Sequence, residues 1–556
     1  GPPPPLRREI VGLTLELPEE LNSFHIRDSQ GQVIPYQLVS RIGRKVDLYL
    51  WTPTAIPAVG YRTYYVAPGG REATAHPHAS ASTADNSLEN DYLRVWINPD
   101  GTLTIHEKVH DDRYENLGFF EDGGDSGDTY DYSHPAQDQI VTSRNKKATI
   151  SLELAGPLLV RFRVELQLKL PRGLTADRQM RSSKTSPLTI VSFVELAANA
   201  GHVEVKTAVH NCVKDHRLRV IFPSGIQTDH SLSGMPFDAA RFPILEQTNH
   251  DVPDALHGLM LAGRYTTPVQ TRPFQNFIAL ADETRSLSIF SRGLSEYEII
   301  PEQNGIALTL LRGVGWLARP DLLTREGDVG PHIFTPEAQC LGTQTFEYAI
   351  YPHGADLAAA NPYFESDRHT LKFRALQSDG HPGLLPDAFS FLSWLAEDPF
   401  GAFKLTALKQ SEDGRDLIIR FYNILDQPAS GILKLGAAVT AVWRANLNEE
   451  NETILPLHEG AIPVRARGKE IVTIRARLVA DRLIGDFSHH AARVLPLLTP
   501  LTGLESGPAR KLPPLLTEEE VVAEERRAAQ LGVALQAIRS GAYILQEQLA
   551  QRAPHG

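Results

Sequence analysis

The chain has 556 residues, a formal net charge of −12, 42% hydrophobic and 22% charged residues. It is too long for one core and is sized for about three or four domains of roughly 150 residues. Its acidity argues against nucleic acid or an anionic membrane as partner, since both need clustered positive surface, and no apolar run approaches the roughly 18–20 residues of a membrane span. Two cysteines, Cys212 and Cys340, allow neither a disulfide framework nor an all-cysteine metal site, which suits a reducing cytoplasm.

The opening stretch GPPPPLRREIV lacks an initiating Met and the charged-then-apolar pattern of a signal peptide, as in a processed product or the tail of a longer gene. From there to about residue 480 the chain reads as strands, short alternating runs bounded by Gly, Pro, Asn and Asp. KVDLYLW (45–51) belongs to a first small sandwich over 1–70. The small, polar, non-periodic GGREATAHPHASASTADN (69–86) supplies a linker over 71–86. A large β domain follows over 87–355, opening with LRVWINPDGTLTI (93–105), whose Pro99-Asp100-Gly101 predicts a hairpin turn. In HVEVKTAVHN (202–211), His202 and His210 alternate with valines and read as strand-face residues. YPHGADLAAANPYFE (351–365) breaks the strand pattern, and DLIIRFYN (416–423) and KEIVTIRARL (469–478) fall in a third sandwich over 356–485. The last segment, 486–556, reads as a Pro-rich connector and a helix, with Thr517 and Glu520 in a capping box and Gly532 and Gly541 as weak points. Such a helix is expected to dock on its own protein. No repeat of solenoid or propeller period occurs. The fold class is mainly β, a set of antiparallel sandwiches with a C-terminal helix.

FEDGGDSGDTYDYSHP (120–135) interrupts this pattern with four aspartates, one glutamate, three glycines and two tyrosines. A solvated turn uses one or two Asp-Gly steps, because Gly supplies positive φ and Asp bonds its own backbone; five carboxylates exceed that need. On its residues alone the stretch is a ligand-facing loop, an acidic solvated loop or an oxygen cage for Ca²⁺. His110-Asp111-Asp112 sits where a turn is expected, and TDH (228–230) and NHD (249–251) lack the further ligands of a catalytic zinc. No metal ligand is assigned in this chain. Trp51, Trp96 and Trp316 lie on alternating apolar stretches and read as core rather than as sugar platforms.

NSLENDYLRVWINPDGTLTI (86–105), followed by YENLGFFEDGGDSGDTYDYSHP (114–135), resembles the non-catalytic half of bacterial α-mannosidases of glycoside hydrolase family 38, including the mannosylglycerate-hydrolase type. QNFIALADETRSLSIFSRGLSEYEI (275–299), LTLLRGVGWLARPDLLTREGDVGP (308–331) and TPEAQCLGTQTFEYAIYPH (335–353) follow in the family's order, so that the resemblance runs from about residue 10 to the end. It implies a galactose-mutarotase-like supersandwich over 87–355. It also implies that an α/β catalytic domain and a helix bundle precede the matched part, and that they hold the family's Zn²⁺ ligands and nucleophilic aspartate, outside this chain. The reaction it implies is hydrolysis with retention through a glycosyl-enzyme intermediate. Animal members carry a Ser-Gly-Ala-Tyr segment whose Tyr reaches the mannose, and Gly127-Asp128-Thr129-Tyr130 stands at the matching place. The resemblance thus implies a substrate-facing Tyr130 flanked by Asp125, Asp128 and Asp131. It further implies a rim arginine near Arg312, with Arg319 or Arg325 as other candidates because Leu311 and Gly313 depart from the family's Asp-Arg-Arg. A rim arginine suits a phosphate or carboxylate; the alternative is an internal ion pair.

Three functions follow. In the first, the chain is the C-terminal part of a retaining, cytoplasmic α-mannosidase acting on α-mannosides or mannose-containing oligosaccharides. It completes the active-site wall, supports an N-terminal catalytic domain of the same protein, and exposes an apolar patch where that domain docks. In the second it is a non-catalytic carbohydrate-binding β-sandwich protein with sugar affinity of its own and no such patch. The third is a mutarotase-like accessory domain, since fold alone does not decide function.

Overall fold

The computed structural model describes residues 9–17, 23–70, 77–244, 271–301, 304–325, 327, 329–380, 385–399 and 401–483. The C-terminal connector and helix, with Thr517, Glu520, Gly532 and Gly541, and the NHD stretch at 249–251 lie outside the described residues.

Period-two alternation builds the first sandwich. Val46, Leu48 and Leu50 of the Lys45–Trp51 strand turn inward while their neighbours stay partly exposed. That strand pairs antiparallel with Ile10–Glu16 on one side and Tyr36–Ile42 on the other. A second sheet of Val33–Ile34, Phe24–Arg27 and Tyr65–Pro68 closes the core around Phe24, Ile26 and Ile34.

The large domain has one core shared by three antiparallel sheets. The Leu93–Ile97 and Leu103–Glu107 strands form the expected hairpin, within a five-stranded sheet. A nine-stranded sheet carries Val203–Asn211 between Thr185–Ala197 and Gly342–Gly354. A six-stranded sheet sets Phe119–Gly124 beside His216–Pro223, which pairs in turn with Gly305–Gly313. Residues 80–82, inside the segment read as a linker, add the Ser80–Ser82 strand to the five-stranded sheet. Its small side chains give no periodic signal, yet Ala79 is buried and Ala81 packs on the core.

His110-Asp111-Asp112 lies at the expected turn, with Asp111 at φ 62°. Trp51, Trp96 and Trp316 are half-buried rather than core. Trp96 lies beneath the Arg94 and Arg113 guanidinium groups, at 4.8 and 5.3 Å from its ring centroid.

After Gly354 the chain forms a Pro362–Thr370 helix, with Asn361 as N-cap accepting from Phe364 N and Pro362 in the first turn. The third sandwich follows, with sheets built on Leu392–Asp398 and Leu417–Asn423 around Leu433, Phe421 and Ile474. One further pairing joins the two ends: Gly60–Arg62 pairs with Ala388–Ser390. The approach requires glycine, because a Cβ on Gly60 would stand 2.0 Å from the Phe389 carbonyl oxygen. Among the described residues no helix is long and apolar enough to cross a membrane.

Candidate functional site

The four aspartates of the 120–135 stretch fall three residues apart, and each meets a cation. Asp122, fully buried in the Phe119–Gly124 strand, accepts from Arg181 Nη2 and from His216 Nδ1 at 2.6 Å. His216 Nε2 lies 3.1 Å from Asn211 Oδ1, whose own amide nitrogen donates to the Gln339 and Cys340 carbonyls. Both imidazole nitrogens therefore lie beside side-chain oxygens. Asp125, also fully buried, accepts from Arg312 Nε at 2.8 Å and from Gly127 N at 2.9 Å. Asp128 accepts from the backbone N–H groups of Tyr130, Asp131 and Arg319 and from Arg325 Nη2 at 2.6 Å. Asp131 pairs with the other terminal nitrogen of Arg325.

Burial pushes the Asp125 carboxyl up, against the pull of the Arg312 guanidinium. At Asp128 burial acts in the same sense, but the Arg325 guanidinium and the Asp131 and Arg319 N–H groups hold the carboxyl below its ordinary value. Side chain and backbone both pin the loop to the segment after Gly313. Thr129 Oγ1 donates to the Leu317 carbonyl at 2.8 Å and Thr324 Oγ1 to the Tyr132 carbonyl at 2.9 Å.

Gly127 leaves no room for a side chain: a Cβ there would stand 2.1 Å from the Asp131 carbonyl oxygen and 2.8 Å from Asp125 Oδ1. Gly127→Ala is therefore expected to cost about 1–3 kcal/mol through overpacking. Thermal melts, with amide exchange at 125–133 as the local readout, check this; unchanged protection would mean that the loop adapts.

The structure brings together the expected substrate-site residues: Tyr130, Asp125, Asp128, Asp131, Arg319 and Arg325 share this loop pair, and Arg312 reaches it from the Gly305–Gly313 strand. Asp125 and Asp128 turn inward, toward arginines. Arg312 takes the ion-pair role, with its guanidinium largely covered. Arg319 makes a two-pronged pair with Asp321 at 2.8 and 2.6 Å and lies 5.2 Å from the Trp316 ring. A site so furnished with guanidinium groups does not fit Zn²⁺ or Ca²⁺, because its carboxylates are already neutralised.

Tyr130, 55% exposed, faces outward instead. The segment after Gly313, to which this loop is pinned, carries the exposed Leu323, Val329, Ile333 and Phe334. Phe334 packs on Trp316 at 5.4 Å, Leu317 N donates to the Ile333 carbonyl, and Gly330 lies against the Tyr130 hydroxyl.

Beside the loop is a cavity of about 270 Å³ lined by Tyr132, Arg217, Arg219, Glu121, Asp138 and Glu298. The Arg217 guanidinium lies 3.6 Å from the Tyr132 ring centroid, and burial pushes the Tyr132 phenol up to about 12. Arg217 and Arg312 are directly opposite on paired strands. Like charges so placed repel, and Asp125 with the Tyr132 ring face offsets them. The acidic run signals a need for cations, but Arg178, which donates to the Ser126 carbonyl, and Arg181, His216 and Arg217 lie elsewhere in the chain and sequence reasoning missed them.

Residues 88–322 match the family model described as "Glycosyl hydrolases family 38 C-terminal domain", and residues 402–474 match "Glycosyl hydrolases family 38 C-terminal beta sandwich domain". A "Putative mannosylglycerate hydrolase" of Halalkalibacterium halodurans is 27% identical over 447 residues, covering 77% of this chain and 45% of that protein. Among solved structures, an alpha-mannosidase from Enterococcus faecalis V583 superposes with a TM-score of 0.70 at 24% identity, over 84% of this chain and 54% of the other. A protein in glycosyl hydrolase family 38 from Enterococcus faecalis gives 0.69 at 24%, over 84% and 56%. The chain spans about half the length of these relatives.

Proposed function

From a chain that carries the C-terminal domains of glycosyl hydrolase family 38, we propose that this protein is the supporting half of a retaining α-mannosidase. In this reading a zinc-bearing catalytic domain of the same protein docks over the 120–135 loop, and Tyr130 reaches a mannoside held between them. The observation that carries the reading is that Tyr130, Leu323, Val329, Ile333 and Phe334 are all exposed on two segments that hydrogen bonds and buried ion pairs lock together. Several large apolar side chains left exposed on two interlocked segments suit a contact surface. The ion-paired base holds the tyrosine without spending the loop's carboxylates on the sugar. Zn²⁺, bound by residues outside this chain, would supply Lewis-acid chemistry at the sugar hydroxyls. The residues here would orient the sugar and exclude water. The unpaired Cys212 and Cys340 support a cytoplasmic setting.

The test compares this chain with one extended upstream by roughly 350 residues, a two-domain length. Only the extended protein is expected to hydrolyse an aryl α-mannoside. In it, Tyr130→Phe should lower kcat/KM about 5- to 100-fold, as for one lost sugar hydrogen bond. Phe334→Ser should loosen the docking, read as protease sensitivity between the halves. Activity unchanged in Tyr130→Phe would remove the tyrosine from the site, and an inactive extended protein would sink the enzyme reading.

The cavity beside Tyr132 favours a second reading, a non-catalytic carbohydrate-binding protein. It requires the chain alone to bind methyl α-mannoside and Tyr132→Ala to abolish the binding.

A further inference from the structure

His202 and Glu204 stand two residues apart at the start of the Val203–Asn211 strand, so their side chains share one face of the nine-stranded sheet. The Pro362–Thr370 helix presents His369 to that face from its last turn. His202 Nε2 and His369 Nδ1 lie 3.6 and 3.7 Å from the same atom, Glu204 Oε1. Those separations are long for hydrogen bonds. They are close to the spacing of about 3.4 Å between two ligands held 2.0–2.1 Å from a tetrahedral ion.

The two imidazoles are 5% and 1% exposed. His202 Nδ1 and both nitrogens of His369 are buried without a hydrogen-bond partner. Unmet polar atoms of this kind carry a desolvation cost, and a coordinate bond at His369 would relieve it. Register sets Glu195 directly opposite Glu204 on the neighbouring strand, where Arg161 Nε pairs with it at 2.7 Å. The place already attracts a cation: the Lys372 ammonium sits on Glu204 Oε1. Lys372 is 40% exposed and lies just beyond the helix, so it can swing into water when another cation takes its place.

We propose that His202, Glu204 and His369 form a binding site for a borderline divalent cation of the zinc type, which straps the 362–370 helix to the large sheet. Two neutral imidazoles and one carboxylate suit Zn²⁺, Co²⁺ or Ni²⁺, whereas Mg²⁺ and Ca²⁺ take oxygen ligands. A water completes the shell. The site does not rest on the mannosidase reading, and it would stand if that reading failed.

The experiment strips the 556-residue chain with EDTA and titrates it with zinc sulfate against a chromophoric chelator. One Zn²⁺ per chain is expected, with binding weakened at least tenfold in both E204Q and H369Q. Lys372→Met should bind several-fold more tightly, because its ammonium no longer competes. Absence of stoichiometric uptake, or equal affinity in wild type, E204Q and H369Q, would overturn the site. If H369Q does not fold, Lys372→Met decides alone: unchanged affinity rejects the proposal, and a several-fold gain supports it. Equal binding of magnesium chloride would also reject it.

Discussion

Asp122→Ala is expected to destabilise the large sandwich by about 3–5 kcal/mol, the range for breaking a buried pair by removing one partner. Asp122, Arg181 and His216 are all nearly or fully enclosed. Removing the carboxylate leaves the Arg181 guanidinium buried without its counter-charge and His216 Nδ1 without its partner. The Phe119–Gly124 and His216–Pro223 strands, which pair along their length, should lose amide protection first. Asp131→Ala is the control. Its carboxylate is 46% exposed, so the loss should stay within about 1 kcal/mol. Because the chain has several domains, a single unfolding midpoint would mix them, and hydrogen exchange resolved by strand is the proper readout. Equal losses for the two variants would refute the buried-charge account.

The third sandwich is expected to weaken as pH rises. Glu397, in the Leu392–Asp398 strand, has its carboxyl pushed from the ordinary 4.5 up to about 7, by burial first, with the Phe403, Gly401 and Ala402 N–H groups opposing. The folded state thus keeps a proton that the unfolded chain has released. The stabilisation is complete below pH 4.5 and is lost as pH climbs through about 7. The displacement from 4.5 to about 7 corresponds to about 3 kcal/mol at most. Glu397→Gln, which stays neutral and still accepts from Phe403 N, should flatten the profile and gain stability at pH 8.5 while gaining none at pH 4.5. A wild-type profile that is already flat across this range would rule the effect out.

Strands whose inward faces are apolar were legible because alternation is a local property. The Lys45–Trp51 and Leu93–Glu107 segments are of this kind. Ser80–Ser82 escaped because alanine and serine carry no contrast between faces. The Pro362–Thr370 helix was readable only as a break, although Asn361-Pro362 offered a cap and a first-turn proline. At the site, composition located the loop but not its chemistry. Whether Asp125 and Asp128 meet sugar or arginine depends on Arg312 and Arg325, which approach only after the strands pair. His202 and Glu204 could be seen to share a face, yet His369 joins them through the helix packing.

The pairing of Gly60–Arg62 with Ala388–Ser390 bears on how the polypeptide leaves the ribosome. The Tyr61 hydroxyl finds its acceptor on Pro386, 325 positions downstream. At about 5–20 residues per second, synthesis keeps that edge waiting for roughly a quarter of a minute to a minute. Through that interval Gly60–Arg62, which pairs with no other strand among the described residues, leaves its backbone groups open, the kind of surface that recruits other chains. Release of the third sandwich from the exit tunnel, rather than completion of the first, is the event that closes it.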